Sequence, residues 1–113
     1  MRYRGLTLRV LGPGGPAMGP GKAELIERIA QTGSISGAAR GMGMSYRRAW
    51  QLVEGLNRTF RAPVVETAVG GARGGGAVIT AFGRKLVADY RRMESKAAAA
   101  IASDLKRYTR YIP

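Results

Sequence analysis

Hydrophobic and polar positions alternate through residues 5–11, GLTLRVL, at the two-residue period of a half-covered strand. From Lys22 the period lengthens. Leu25, Ile26, Ile29 and Ala30 return at three- and four-residue steps, which predicts a helix over 22–32 closed by Gly33. Two further helices are predicted at 36–42 and 45–60, the second ended by Pro63. VVETAV at 64–69 and AVIT at 77–80 then read as strands joined by GGARGGG, a hairpin with a glycine-rich tip. From 80 to about 108 no proline intervenes and the period is again helical, so one long last helix is expected. Between the first strand and the first helix, GPGGPAMGPG carries Gly and Pro too densely for helix or ladder. The expected order is β-α-α-α-β-β-α, mostly α with a small antiparallel sheet, in which the first strand completes a three-stranded sheet with the hairpin.

Composition narrows the function. At 113 residues the chain makes one domain, residues 1–80 with residues 81–113 as a helical extension of the same unit. Nineteen Lys and Arg against seven Asp and Glu give a net charge of +12, which favours a polyanionic partner such as nucleic acid. The chain has no Cys and no His, so disulfides, zinc fingers and Cys- or His-based nucleophile systems are excluded. The serines have no His base and the few acids are scattered, so no enzyme, metal site or cofactor is expected. GPGGPAMGPGK is not a phosphate loop, because Pro16 and Ala23 stand where that motif needs Gly and Ser or Thr. No apolar run reaches the length of a membrane span and the N-terminus is not a signal peptide, so a cytoplasmic, nucleoid-associated protein is expected.

The stretch 33–50, GSISGAARGMGMSYRRAW, concentrates the candidate chemistry. Ala39 suits the crossing of two helices, Gly43 a left-handed turn between them, Met44 the corner, and Ser45 the N-cap of the second. At about 100° per residue, Tyr46, Ala49, Leu52, Val53, Leu56 and Phe60 gather on an inward face. Arg47, Gln51, Glu54 and Arg58 gather on the other, with Arg48 on the flank. Arg pairs with guanine edges and Gln with adenine, so this face suits a DNA major groove. Arg73 at the hairpin tip suits a minor groove. Leu86, Tyr90, Met93, Ala97, Ile101 and Leu105 form a stripe along the last helix too long for one small core, and so read as a dimer seam.

Those motifs carry a resemblance. TGSISGAARGMGMSYRRAWQLVEGLN followed by VVETAVGGARGGGAVITAFGRKL resembles the N-terminal DNA-binding domain of the ModE family of molybdate-responsive regulators. The helix pair is also similar to that of LysR-type regulators. The resemblance implies a winged helix-turn-helix with a long C-terminal dimerisation helix. It also implies a homodimer binding a near-palindromic operator in double-stranded DNA. Ser34, Ser36, Ser45, Tyr46, Arg47, Arg48, Gln51, Arg58 and Arg73 are the DNA-contacting residues expected from motif and face together. Because the sequence ends at Pro113 without a C-terminal oxyanion-binding domain, no molybdate binding is expected of it. The functional expectation is a sequence-specific, dimeric transcription regulator, with a less selective architectural DNA binder as the alternative.

Overall fold

A computed structural model describes residues 5–68 and 76–113. It opens with two short strands, β1 (Val10–Gly12) and β2 (Gly15–Met18), followed by helices α1 (Pro20–Thr32), α2 (Ile35–Met42) and α3 (Tyr46–Thr59). A second hairpin, β3 (Val65–Ala68) and β4 (Gly76–Ile79), leads to α4 (Ala81–Ala100), α5 (Ala102–Tyr108) and a closing 3-10 turn.

Local chemistry accounts for most boundaries. Pro20 opens α1, where its missing N–H is no loss, and Gly33 closes it at φ +72°. Ser34 caps α2 by accepting the Gly37 amide at 2.7 Å. At the other end Gly43 takes φ +67°, and the Met44 amide reaches back to the Ala39 carbonyl at 3.0 Å. That six-to-one bond is the Schellman closure, and it turns the chain straight into α3. Ser45 then caps α3 through the Arg48 amide at 3.1 Å.

The core is built around α1. Leu25, Ile26 and Ile29 are fully buried against Ile35, Ala38 and Ala39 of α2, Ala49, Val53 and Leu56 of α3, and Val87 and Tyr90 of α4. Burying one Leu or Ile contributes about 1.5–3 kcal/mol, whereas an exposed ion pair contributes about 0–1 kcal/mol. Packing rather than charge therefore holds this basic chain together.

Three expectations about the fold are corrected. First, GPGG does not interrupt the structure but turns it: Gly12 pairs with Gly15 across Pro13-Gly14, with Gly15 at φ +125°. Pro16 is tolerated because a two-stranded ribbon has free edges on which no N–H is needed. Second, β1 does not join the other hairpin. The sheets are two separate antiparallel pairs, and the Ala77 amide of β4 bonds the Gly33 carbonyl at 2.9 Å instead of a third strand. Third, the last helix is not one helix. Ile101 departs to φ −111°, ψ +13°, and α5 restarts after it with Asp104 in its first turn, where exposed amides favour a carboxylate. The winged helix-turn-helix order β-α-α-α-β-β-α with a long C-terminal helix is thus replaced by β-β-α-α-α-β-β-α-α among the described residues.

Asn57 ties α3 to the second hairpin and had no sequence signal. Its side-chain oxygen accepts the Val64 and Val65 amides at 2.8 and 3.1 Å, and its amide donates to the Val65 carbonyl at 2.9 Å. Asn57→Asp keeps the acceptor and loses the donor. The expected cost is about 1–2 kcal/mol, close to one buried bond lost, and urea unfolding measures it.

Candidate functional site

The outward side of α3 gathers five of the nine expected contact residues. Because Ala49, Val53 and Leu56 are spent on the core, the helix turns Tyr46, Arg47, Arg48, Gln51 and Arg58 to solvent. Tyr46 is 54% exposed, which corrects its expected place on the inward face. It stands in the first turn, where α3 leaves the corner made by Gly43 and has not yet met a covering element. Trp50 is also left 40% exposed. Tyr46, Arg47, Trp50, Gln51 and Glu54 line a shallow cleft of about 350 Å³. Its chemistry is two aromatic rings beside one cation, Arg47, and one carboxylate, Glu54.

The remaining expected contact residues divide. Ser34 and Ser45 have their hydroxyl oxygens engaged as helix caps, so their first role is structural. Ser36 is exposed, with its Oγ 3.5 Å from that of Ser34. Arg73 lies outside the described residues. Of the expected dimer seam, Tyr90 is corrected to an interior residue: it is 1% exposed, and its hydroxyl donates to the Leu8 carbonyl at 2.7 Å. Leu86 packs on the same core, and Leu105 lies beside Gly5. Met93 is exposed, while Ala97 and Ile101 are half-buried.

Beneath Tyr90 lies a polar knot that sequence reading missed. Glu94 is 3% exposed, the one buried charged residue among those described. Arg91 bonds it at 2.9 Å and also grips Glu27 of α1 through Nε at 3.1 Å and Nη2 at 2.8 Å. The bond to Glu27, and after it that to Glu94, pushes the Arg91 pKa further above an already high value, against partial burial. The signal available was the spacing Tyr90, Arg91, Glu94 on one helix, but the partner Glu27 lies 64 residues away.

Burial first, and the Glu94 charge second, raise the Tyr90 pKa above the ordinary phenol value. A raised folded-state pKa favours the protonated form. Its stabilising share is therefore complete below the unfolded value, near 10, and is lost as pH climbs through the folded one. Spectrophotometric titration of the five tyrosines should show one late ionisation coincident with alkaline unfolding. Tyr90→Phe should remove that late step.

Among the described residues no group of three or more Asp and Glu is placed to hold a metal ion. None of their helices is long and apolar enough to cross a membrane.

No family model matches the chain. Individual proteins do. The chain is similar to the molybdenum-pterin-binding protein MopB of Rhodobacter capsulatus. It is 46% identical to MopB over 89 residues, which is 79% of this chain and 33% of that protein. MopA of the same organism, also a molybdenum-pterin-binding protein, is 42% identical over 88 residues, 78% of this chain and 33% of its own. The DNA-binding transcriptional dual regulator ModE of Escherichia coli is 36% identical over 88 residues, 75% of this chain and 34% of its own. The chain spans about a third of the length of these relatives.

These matches correct the functional expectations. The expected resemblance to a ModE DNA-binding domain is corrected, since the two molybdenum-pterin-binding proteins match at higher identity than ModE does. The sequence-specific regulator on double-stranded DNA, and its architectural alternative, are corrected on the same finding, because MopB and MopA are named for molybdenum-pterin binding and not for DNA. The exclusion of molybdate is withdrawn on the same finding. It had rested on where the sequence ends, which carries no weight against relatives named for molybdenum.

Proposed function

We propose that the chain is an anion-binding module of a molybdenum-linked protein, taking molybdenum in its oxyanion form. The observation that carries this reading is the 46% identity with MopB across 79% of the chain. A net charge of +12 supports it, since a small cationic body concentrates anions at its surface. The role is binding and not catalysis, in keeping with a chain that lacks Cys and His. Its place of action, on this reading, is the cytoplasm.

Calorimetric titration with sodium molybdate, with sodium sulfate as control, tests the reading. Saturable binding of molybdate in preference to sulfate is expected, weakening as salt rises because exposed cations are screened. No saturable heat would overturn it. So would retention of duplex DNA that does not respond to molybdate.

A further inference from the structure

We infer that residues 5–8 act as a strap across the break at Ile101, fixing the direction of α5 and coupling it to the first hairpin. The inference stands apart from what the chain binds.

α5 has little of its own to hold it in place. It is seven residues long, whereas a helix alone in water needs about 12–15 to be stable. None of its side chains is buried, and Leu105 alone among them is half-buried. The backbone leaves the helical region at Ile101 (φ −111°, ψ +13°), so α4 does not run on into α5 as one rod. The direction of α5 therefore depends on what Leu105 touches.

Leu105 touches the N-terminal segment. Gly5 lies so close that an added Cβ would stand 3.3 and 3.4 Å from the two Leu105 methyl carbons. Gly5 also takes φ +83°, the left-handed region that glycine enters without strain, so a side chain here is disfavoured twice. Further along, the Leu8 carbonyl accepts the Tyr90 hydroxyl at 2.7 Å, and the Leu8 side chain packs on the core. The segment is thus fastened to α4 at Leu8 and meets α5 at Gly5, one attachment on each side of Ile101. Because Tyr90 belongs to the buried core, the α4 end is the fixed anchor. The strap continues through Arg9 into β1, which begins at Val10. A movement of the first hairpin that draws on Leu8 is therefore passed to α5. What α5 carries is an aromatic end: Tyr108 and Tyr111 meet edge to face at 5.8 Å, and both are exposed. The strap decides where that end points.

Spin labels at K85C and K106C, one on each helix, read the arrangement of α4 and α5 by pulsed electron paramagnetic resonance. A second pair, Q31C and K85C, reports on the body of the fold. All three positions are exposed, and the chain has no Cys of its own. Dilution with unlabelled chain keeps each distance within one molecule. Y90F keeps the ring and removes the Leu8 anchor, while G5D forces the strap off Leu105 from an exposed position outside the core. The inter-helix distance distribution should be narrow in the wild-type chain. Both variants should broaden it and leave the body pair unchanged. A broad distribution already present in the wild type would sink the strap. So would a wild-type distribution in G5D, because α5 would then hold its own place while the terminal segment gives way. An unchanged distribution in Y90F would count against it equally. If Y90F broadens the body pair as well, the G5D result alone decides.

Discussion

Arg91→Ala is expected to lower the unfolding free energy by about 3 kcal/mol, the low end of the cost of stranding one partner of a buried pair. Arg91 is the cation that lets Glu94 sit 3% exposed on the inner side of α4, and it fastens that helix to α1 through both oxygens of Glu27. Without it the Glu94 carboxylate keeps only the Tyr90 hydroxyl, at 3.4 Å, among its described partners. The Glu27 side is 39% exposed and contributes less, because water screens it. Urea unfolding measures the loss. The double variant Arg91→Met with Glu94→Gln should recover most of it, since removing both charges removes the desolvation penalty. A double variant as unstable as Arg91→Ala alone would show that helix contact, and not the stranded charge, was responsible.

Gly83→Ala should destabilise the fold by about 2–3 kcal/mol, the cost of forcing atoms into a packed interior, although alanine in a helix normally gains about 0.5–1 kcal/mol over glycine. Gly83 is in the first turn of α4, and its amide is held by Thr80 Oγ1 at 2.9 Å. A Cβ here would sit 2.5 Å from the Val64 carbonyl oxygen and 2.8 Å from Ile79 Cγ2. That carbonyl already accepts the Thr80 amide at 3.1 Å, so moving away breaks the junction between hairpin and helix. Gly55, in the middle of α3, meets nothing within 4 Å, and Gly55→Ala should stabilise by up to about 1 kcal/mol. Thermal unfolding of the two variants should therefore shift in opposite directions.

Those two glycines show where sequence reading stopped. Both lie inside helices and look alike as letters. Only the neighbour brought by folding, the backbone at Val64, makes one obligatory. Asn57 and Glu94 were silent for the same reason, since their partners lie on other elements. The tyrosines show this too: Tyr46 was placed both on the inward face and among the contact residues and is exposed, while Tyr90 was expected on a seam and is buried. Helical period orients a face but does not say which element covers it. Here the segment through Leu8 covers Tyr90, and among the described residues nothing comparable covers Tyr46.

By itself the sequence determined what depends on near neighbours along the chain. Gly33 and Gly43 end helices because a missing Cβ permits the left-handed turn, and Ser34 and Ser45 start them because a hydroxyl reaches an amide three residues on. The net charge of +12 likewise favoured an anionic partner, and the absence of Cys and His excluded thiol and imidazole chemistry. Tertiary structure alone decided the pairing of β1 with β2, the break at Ile101 and the buried Glu94. It also laid Gly5 against Leu105 and Leu8 against Tyr90. Each of these joins residues or surfaces whose contact depends on the packed fold, and a one-dimensional pattern carries no such distances.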